Sequence, residues 1–546
     1  MKPNQSAQKA QLENLMFNIS TRIQNWGADL GKPEDRPELV IVELTGNYPE
    51  RTPRKFPEML VKKTDSLEEL EAKLDTLGRC SWLKGVIFRV GELDIDWVKA
   101  FSIRKAIERL SQTKPTYGLL SALEMKTYFA VSSAQKLIAP ESADFNLCGL
   151  AINQSFFKDA LSRLGIEFEA FTIREYKSAL SRFTQNEITE PQRQQLERIL
   201  ESITETFAQE VGTSRNLHPD AVRSALQKGI LNAQEALDLK LIDRIAYEDE
   251  VMGPKHQPLN KSQRLFKTPL REGPGRVAVV SLIGDIVVGK SRRSFQPILG
   301  SASQAGSESI VRALRLAEED DSTQAIVFYV NSGGGSPLAS DLIGQEIKRI
   351  GRKKPIVAVM GGAAASGGYY VLTHAHHIIA APVTLTGSIG VVLGKPNLEA
   401  FNAKYGIHVE SLSTSPYADL LSTHRPFTKE QTDFLKRQMD DIYDRFLVRV
   451  SEGRNKSKTE VDEIGRGRVW TGQDALDIGL IDELGTLSTG IEKAKELAGL
   501  PAQAAVWTVE TPKHMVMPKS GEGLLEWFYP LIREQTLLYM PFNLNI

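Results

Sequence analysis

Along this chain, short unbroken runs of β-branched and aliphatic residues alternate with longer stretches whose apolar positions recur every three or four residues. VIVEL (40–44), GVIFRV (85–90), AVVSLI (278–283), AIVFYV (325–330) and PIVAVM (355–360) are runs of the first kind. Residues 428–453, TKEQTDFLKRQMDDIYDRFLVRVSEG, show the second pattern and predict a long helix. Continuous apolar runs suit strands covered on both faces, so the alternation predicts an α/β fold with mostly parallel sheets and flanking helices.

The pattern also repeats. NAQEALDLKLIDRI (232–245) matches TGQDALDIGLIDEL (471–484), with Asp243 against Asp482. Upstream, 161–180 faces 401–420 at an offset of about 241, WLKGVIFRV (82–90) faces TQAIVFYVN (323–331), and PELVIVELTG (37–46) faces GRVAVVSLIG (275–284). A spacing held this steadily predicts tandem domains over 37–246 and 275–500. Residues 1–36 read as a polar, partly helical lead-in, 247–274 as a proline-containing linker, and 501–546 as an apolar, aromatic C-terminal extension. The Ser/Gly-rich stretch 290–308 is expected as a mobile loop.

Composition narrows the possible functions. The 67 Lys+Arg and 68 Asp+Glu residues give a net charge of −1, so no basic field favours a nucleic acid partner. The only cysteines, Cys80 and Cys148, provide neither a disulfide framework nor a Cys-based metal cluster, and no residue cluster suggests a metal or organic cofactor. The first twenty residues lack the apolar core of a secretory signal. Residues 355–394 contain no Asp, Glu, Lys or Arg, but their glycines, prolines and histidines preclude one lipid-facing helix. With neither a signal peptide nor a transmembrane helix seen, the expected location is cytoplasmic or peripheral on a membrane.

The second copy holds two glycine motifs that the first lacks. Asn331-Ser332-Gly333-Gly334-Gly335-Ser336 follows the run AIVFYV, where backbone amides can turn into a cleft and hold a phosphate or an oxyanion. It is no phosphate-binding P-loop, because no Gly-Lys-Ser/Thr follows. Gly361-Gly362-Ala363-Ala364-Ala365-Ser366-Gly367-Gly368 follows PIVAVM and sets a serine among small residues at a strand-to-helix junction. That junction exposes a hydroxyl and offers the next amide as an oxyanion donor; close helix packing explains the same composition. A nucleophilic serine needs a base. His374, His376 and His377 are close in sequence, which is no argument for a triad. Lys177, in Tyr176-Lys177-Ser178, is the other candidate, since burial can lower an amine's pKa from about 10.4.

Together, NSGGGS, GGAAASGGYY and LTGSIGV (385–391) resemble the signal peptide peptidase A family of serine proteases, family S49, in its long tandem form. The resemblance spans 37 to about 500. It implies two Clp protease/crotonase-like domains, a Ser–Lys dyad and a dome-like homo-oligomer, with a tetramer favoured. Residue by residue, it implies Ser366 as nucleophile, Lys177 as general base and Ser388 as the serine that orients the lysine. The amides of Gly334, Gly335 and Gly367 are the candidate oxyanion and substrate-binding groups. Gly333 stands where the family usually has proline, giving a looser loop. The family's long members usually carry an N-terminal membrane anchor; none is expected here.

The repeat tests the assignment separately. At an offset of 241, Lys177 faces Ala418, and Ser366 faces the Glu124–Lys126 region, which has no serine. Each copy is therefore expected to hold one half of the dyad, with the active site between the domains. The expected activity is endopeptidase cleavage of peptide substrates, in remnant signal peptides or other apolar and small-residue segments, without a cofactor. A catalytically silent ring-forming scaffold and a crotonase-type acyl-CoA enzyme are the rivals. The tail 523–546 is expected on a membrane surface, on a neighbouring subunit or on its own domain.

Overall fold

The computed structural model of the protein describes residues 3–51, 65–296, 300–510, 514–516 and 538–539. The apolar runs read from sequence form the centres of two sheets. In the first, strands pair in the order His256–Pro258, Leu39–Gly46, Gly85–Leu93, Thr116–Leu119, Lys136–Ala139 and Arg244–Ile245, all parallel. In the second, the central order is Leu385–Gly387, Ile356–Ala365, Thr323–Ser332, Arg276–Ile283 and Ala505–Val509, again parallel. Val469–Thr471 closes one edge antiparallel. Helices cover these sheets, as their continuous apolar strands require.

The two copies share individual bonds. Tyr128 and Tyr369 donate to the carbonyls of Leu241 and Leu480, each at 2.8 Å. Asp243 and Asp482 each accept a strand amide, that of Leu137 and that of Ile378, at 2.8 Å. The long helices Glu190–Arg215 and Lys429–Arg454 both end on a left-handed asparagine, Asn216 and Asn455. Thr428 and Gln431 form a capping box that starts the second of these helices.

One difference between the copies positions the site. Ile356–Ala365 is a single long strand, whereas its counterpart breaks into Thr116–Leu119 and Ala122–Glu124. The copies are also joined covalently and by pairing: Glu167–Thr172 of the first lies antiparallel on Val392–Asn397 of the second. The first apolar core continues into the second copy through Ala365, Leu385 and Val469.

The stretch 290–308 departs from the mobile loop expected of it. Arg292–Gln296 and Gly300–Gly306 pair antiparallel, and the second strand also pairs with Asp285–Val287. Serine and glycine suggest a loop by composition alone, but neighbouring strand edges supply the ladder partners that hold this segment. Most of the tail 523–546 lies outside the described residues. The lead-in holds a long helix, Pro3–Leu30, and a short 3-10 turn, Pro33–Asp35. Among the described residues, no helix is long and apolar enough to cross a membrane.

Candidate active site

Ser366 sits where the strand Ile356–Ala365 passes into the short helix Gly367–Tyr370. Its backbone has φ 54°, a region that non-glycine residues seldom adopt and that is held here by surrounding bonds. The Ser366 amide donates to the Gly387 carbonyl at 2.8 Å, and its carbonyl accepts the amides of Tyr369 and Tyr370. The side chain is fully buried among the two copies.

Lys177 arrives from the first copy just after the strand that pairs across to Val392–Asn397. Its Nζ lies 2.7 Å from Ser366 Oγ, 2.9 Å from Ser388 Oγ and 2.9 Å from the Ser388 carbonyl. All three partners are uncharged, and Lys177 is 1% exposed. Burial without a paired carboxylate pushes its pKa well below the ordinary lysine value. A neutral amine has two N–H donors and one lone pair. It can therefore donate to the two Ser388 oxygens and accept from the Ser366 hydroxyl, matching all three contacts. Ser388 is held at φ 52°, its amide donating to the Arg468 carbonyl at 2.7 Å.

The expected base and nucleophile thus meet, with Ser388 as their third member. The three histidines are engaged elsewhere. His374 lies near Glu452 and is lowered to about 4 by burial and the Lys348 and Arg449 charges. His376 Nδ1 accepts the Ile356 amide at 3.1 Å, and His377 pairs with Glu483 at 2.8 Å.

The glycine loop lies beside Ser366. A Cβ on Gly367 would stand 3.2 Å from the Gly335 amide nitrogen. Gly335 has φ 151°, and a side chain there would strike the Ile286 carbonyl at 2.1 Å, so only glycine fits. The Gly334 amide donates to Ser332 Oγ at 3.1 Å. Gly334–Gly335 is bordered by Ile286 on one side and by the chain's own Leu538–Tyr539, antiparallel, on the other.

Sequence reading missed the clamp around the lysine. Gly467, at φ 81°, is so close that a Cβ there would stand 2.6 Å from the Lys177 backbone nitrogen and 2.6 Å from its Cβ. Next to it, the Arg468 guanidinium lies 5.2 Å from the Tyr176 ring and 4.2 Å from the Trp470 ring, while Arg466 pairs with Glu175 at 2.6 Å. Arg174 binds Asp462 through two contacts of 3.2 and 3.0 Å. The alternating signal of Arg466-Gly467-Arg468 against Arg174-Glu175 was present in sequence, but only folding brings the two segments together. Among the described residues, no group of three or more His, Cys, Asp or Glu side chains could hold a metal ion.

Comparison with known proteins gives a consistent picture. The model of peptidase family S49 matches twice, over 108–261 and 348–501, and a Clp protease model matches 294–383. The chloroplastic serine protease SPPA of Arabidopsis thaliana is 31% identical over 440 residues, 78% of this chain and 65% of that protein. Protease 4 of Haemophilus influenzae is 31% identical over 419 residues, 72% of this chain and 66% of its own length. The matched region therefore spans just under two thirds of these relatives. A putative protease of Synechocystis is 36% identical over 225 residues, 41% of this chain and 81% of that protein. Among solved structures, a ClpP1 mutant from Listeria monocytogenes aligns at 18% identity with a TM-score of 0.26, covering 39% of this chain and 94% of its own.

Proposed function

Because the chain belongs to peptidase family S49, we propose that it is a serine endopeptidase in which Ser366 is the nucleophile and Lys177 the general base. The observation that carries this reading is the 2.7 Å contact between Lys177 Nζ and Ser366 Oγ, both buried and contributed by different copies.

In this reading neutral Lys177 takes the Ser366 hydroxyl proton as Oγ attacks the peptide carbonyl. The carbonyl oxygen becomes negative and is held by the amides of Gly335 and Gly367, with Gly334 shaping the loop between them. The lysine ammonium then protonates the leaving amine, and the C–N bond breaks to give an acyl-serine. A water molecule next gives its proton to Lys177 and attacks the ester. As the tetrahedral intermediate collapses, the proton returns to Ser366 Oγ and the carboxyl product leaves. Ser388 holds the amine so that its lone pair stays on Ser366.

A peptide would bind as an added strand. The pairing of Leu538–Tyr539 with Gly334–Gly335 supports this, because it shows an extended backbone fitting that edge. The substrates we propose are extended segments of apolar or small residues, remnant signal peptides among them. The test is digestion of an unfolded protein, with the products identified by mass spectrometry. Fragments that are absent from Ser366→Ala and Lys177→Met would support the reading; equal fragments from all three chains would overturn it.

A further inference from the structure

The N-terminal helix Pro3–Leu30 is docked by the face that would ordinarily face water. Its inner side presents asparagines, which bond the backbone of 268–273. Asn18 and Asn25 each pair with both backbone groups of one residue: Asn18 with the Arg271 carbonyl (3.0 Å) and amide (2.8 Å), and Asn25 with those of Thr268 (both 2.9 Å). Asn14 donates to the Gly273 carbonyl at 3.4 Å, and small residues Ala10, Thr21 and Ala28 are buried beside it. Ion pairs from Glu13 to Arg276 (3.1 Å) and from Asp29 to Lys267 (2.6 Å) add to the attachment. These directional bonds fix the helix's rotation about its axis.

The opposite face is apolar and exposed. Leu12, Met16, Ile19, Ile23, Trp26 and Leu30 are spaced four, three, four, three and four residues apart, and each is 44–65% exposed. That is the spacing of a and d positions in a coiled coil, sustained over more than two heptads. A lone helix turned inside out in this way exposes a continuous apolar ridge, which soluble monomers rarely do.

We propose that this ridge is an interface, and that its partner is the same helix of a second copy of this chain. Three observations favour a helix over a lipid surface. The apolar stripe is narrow and follows the 3–4 repeat, the seam a partner helix fills. The helix carries Lys9 and Arg22 against Glu13 and Asp29, so it lacks the basic polar face of membrane-surface helices. In a parallel in-register pair the flanking positions set Leu15 against Ser20 and Arg22 against Gly27, bringing no like charges together. Covering the ridge and its flanks on both copies removes on the order of 1,000 Å² from water, near the lower limit of a specific interface. The resulting contact is isologous, the same patch serving both subunits.

Sedimentation velocity on the full chain tests this, comparing the wild type with Ile19→Asp/Ile23→Asp. The expected result is a halving of the particle mass, with unchanged circular dichroism. A folded double variant that keeps the wild-type mass would overturn the proposal. Should the double variant misfold, Ile19→Cys in a Cys80→Ser, Cys148→Ser chain provides the second measurement. An oxidised dimer crosslinked through residue 19 supports the interface, and failure to crosslink in a parallel pair overturns it. Flotation of the wild type with neutral phosphatidylcholine vesicles, lost in the double variant while the mass in solution is unchanged, would assign the ridge to a membrane instead.

Discussion

At the scale of single residues, the account rests on a lysine whose pKa is lowered by burial. An unfolded chain holds this side chain protonated up to about pH 10.4, whereas the folded chain releases the proton at a lower pH. Between those values the unfolded state binds more protons, so stability rises with pH, and the burden of the buried amine grows as pH falls toward the folded value. Lys177→Met should therefore abolish reactivity yet stabilise the fold at pH 7, with the gain shrinking toward pH 10. Denaturant midpoints at the two pH values check this, and a variant less stable at both would contradict it. The rate of Ser366 acylation should likewise rise with pH and level off well below pH 10. Gly467→Ala should slow acylation at least tenfold, since a Cβ 2.6 Å from both the backbone nitrogen and the Cβ of Lys177 must displace the lysine. Strain of about 1–3 kcal/mol at the positive φ adds a loss of stability. Rates followed against pH would separate the two effects, because a displaced lysine also moves the midpoint of the profile. The nearness of Ser366 and Lys177 was expected from sequence, because the family motifs pointed to the pair and the repeat showed each copy lacking the other's half. The roles of Gly467 and Ser332 were not, because they depend on distances set by the fold.

At the scale of elements, delivery of the lysine depends on the strand Glu167–Thr172 pairing across to the second copy. The serine depends on the unbroken strand Ile356–Ala365, which its counterpart in the first copy does not match. Apolar runs made both sheets legible, since buried parallel strands leave a strong hydrophobic signal. The strand pair at 292–306 was not legible, because serine and glycine carry little strand signal and the ladder comes from neighbours. The short strand Leu538–Tyr539 was equally hidden, although it covers the edge where a peptide is proposed to lie. A chain ending at residue 510 should therefore react faster with a peptide phosphonate than the full chain. Equal rates would mean that this strand leaves the edge accessible.

At the scale of the molecule, the proposed serine and lysine come from different copies, so that on this reading neither copy suffices alone. The first copy has Met125, three residues before Tyr128, where the second has Ser366, three residues before Tyr369, and the second has Ala418 opposite Lys177. Tandem architecture was legible because bonds such as those of Asp243 and Asp482 need the same side chain in both copies. Since serine and lysine meet within one chain, mixing Ser366→Ala with Lys177→Met chains should restore no activity, even if the two assemble together. Recovery on mixing would place the reacting pair between chains. The most direct measurement is fluorophosphonate labelling with the adduct located by mass spectrometry, on the wild type, Ser366→Ala and Lys177→Met. The account predicts one adduct, on Ser366, absent from both variants. An adduct on Ser366 that persists in Lys177→Met, or an adduct on another residue, would contradict it.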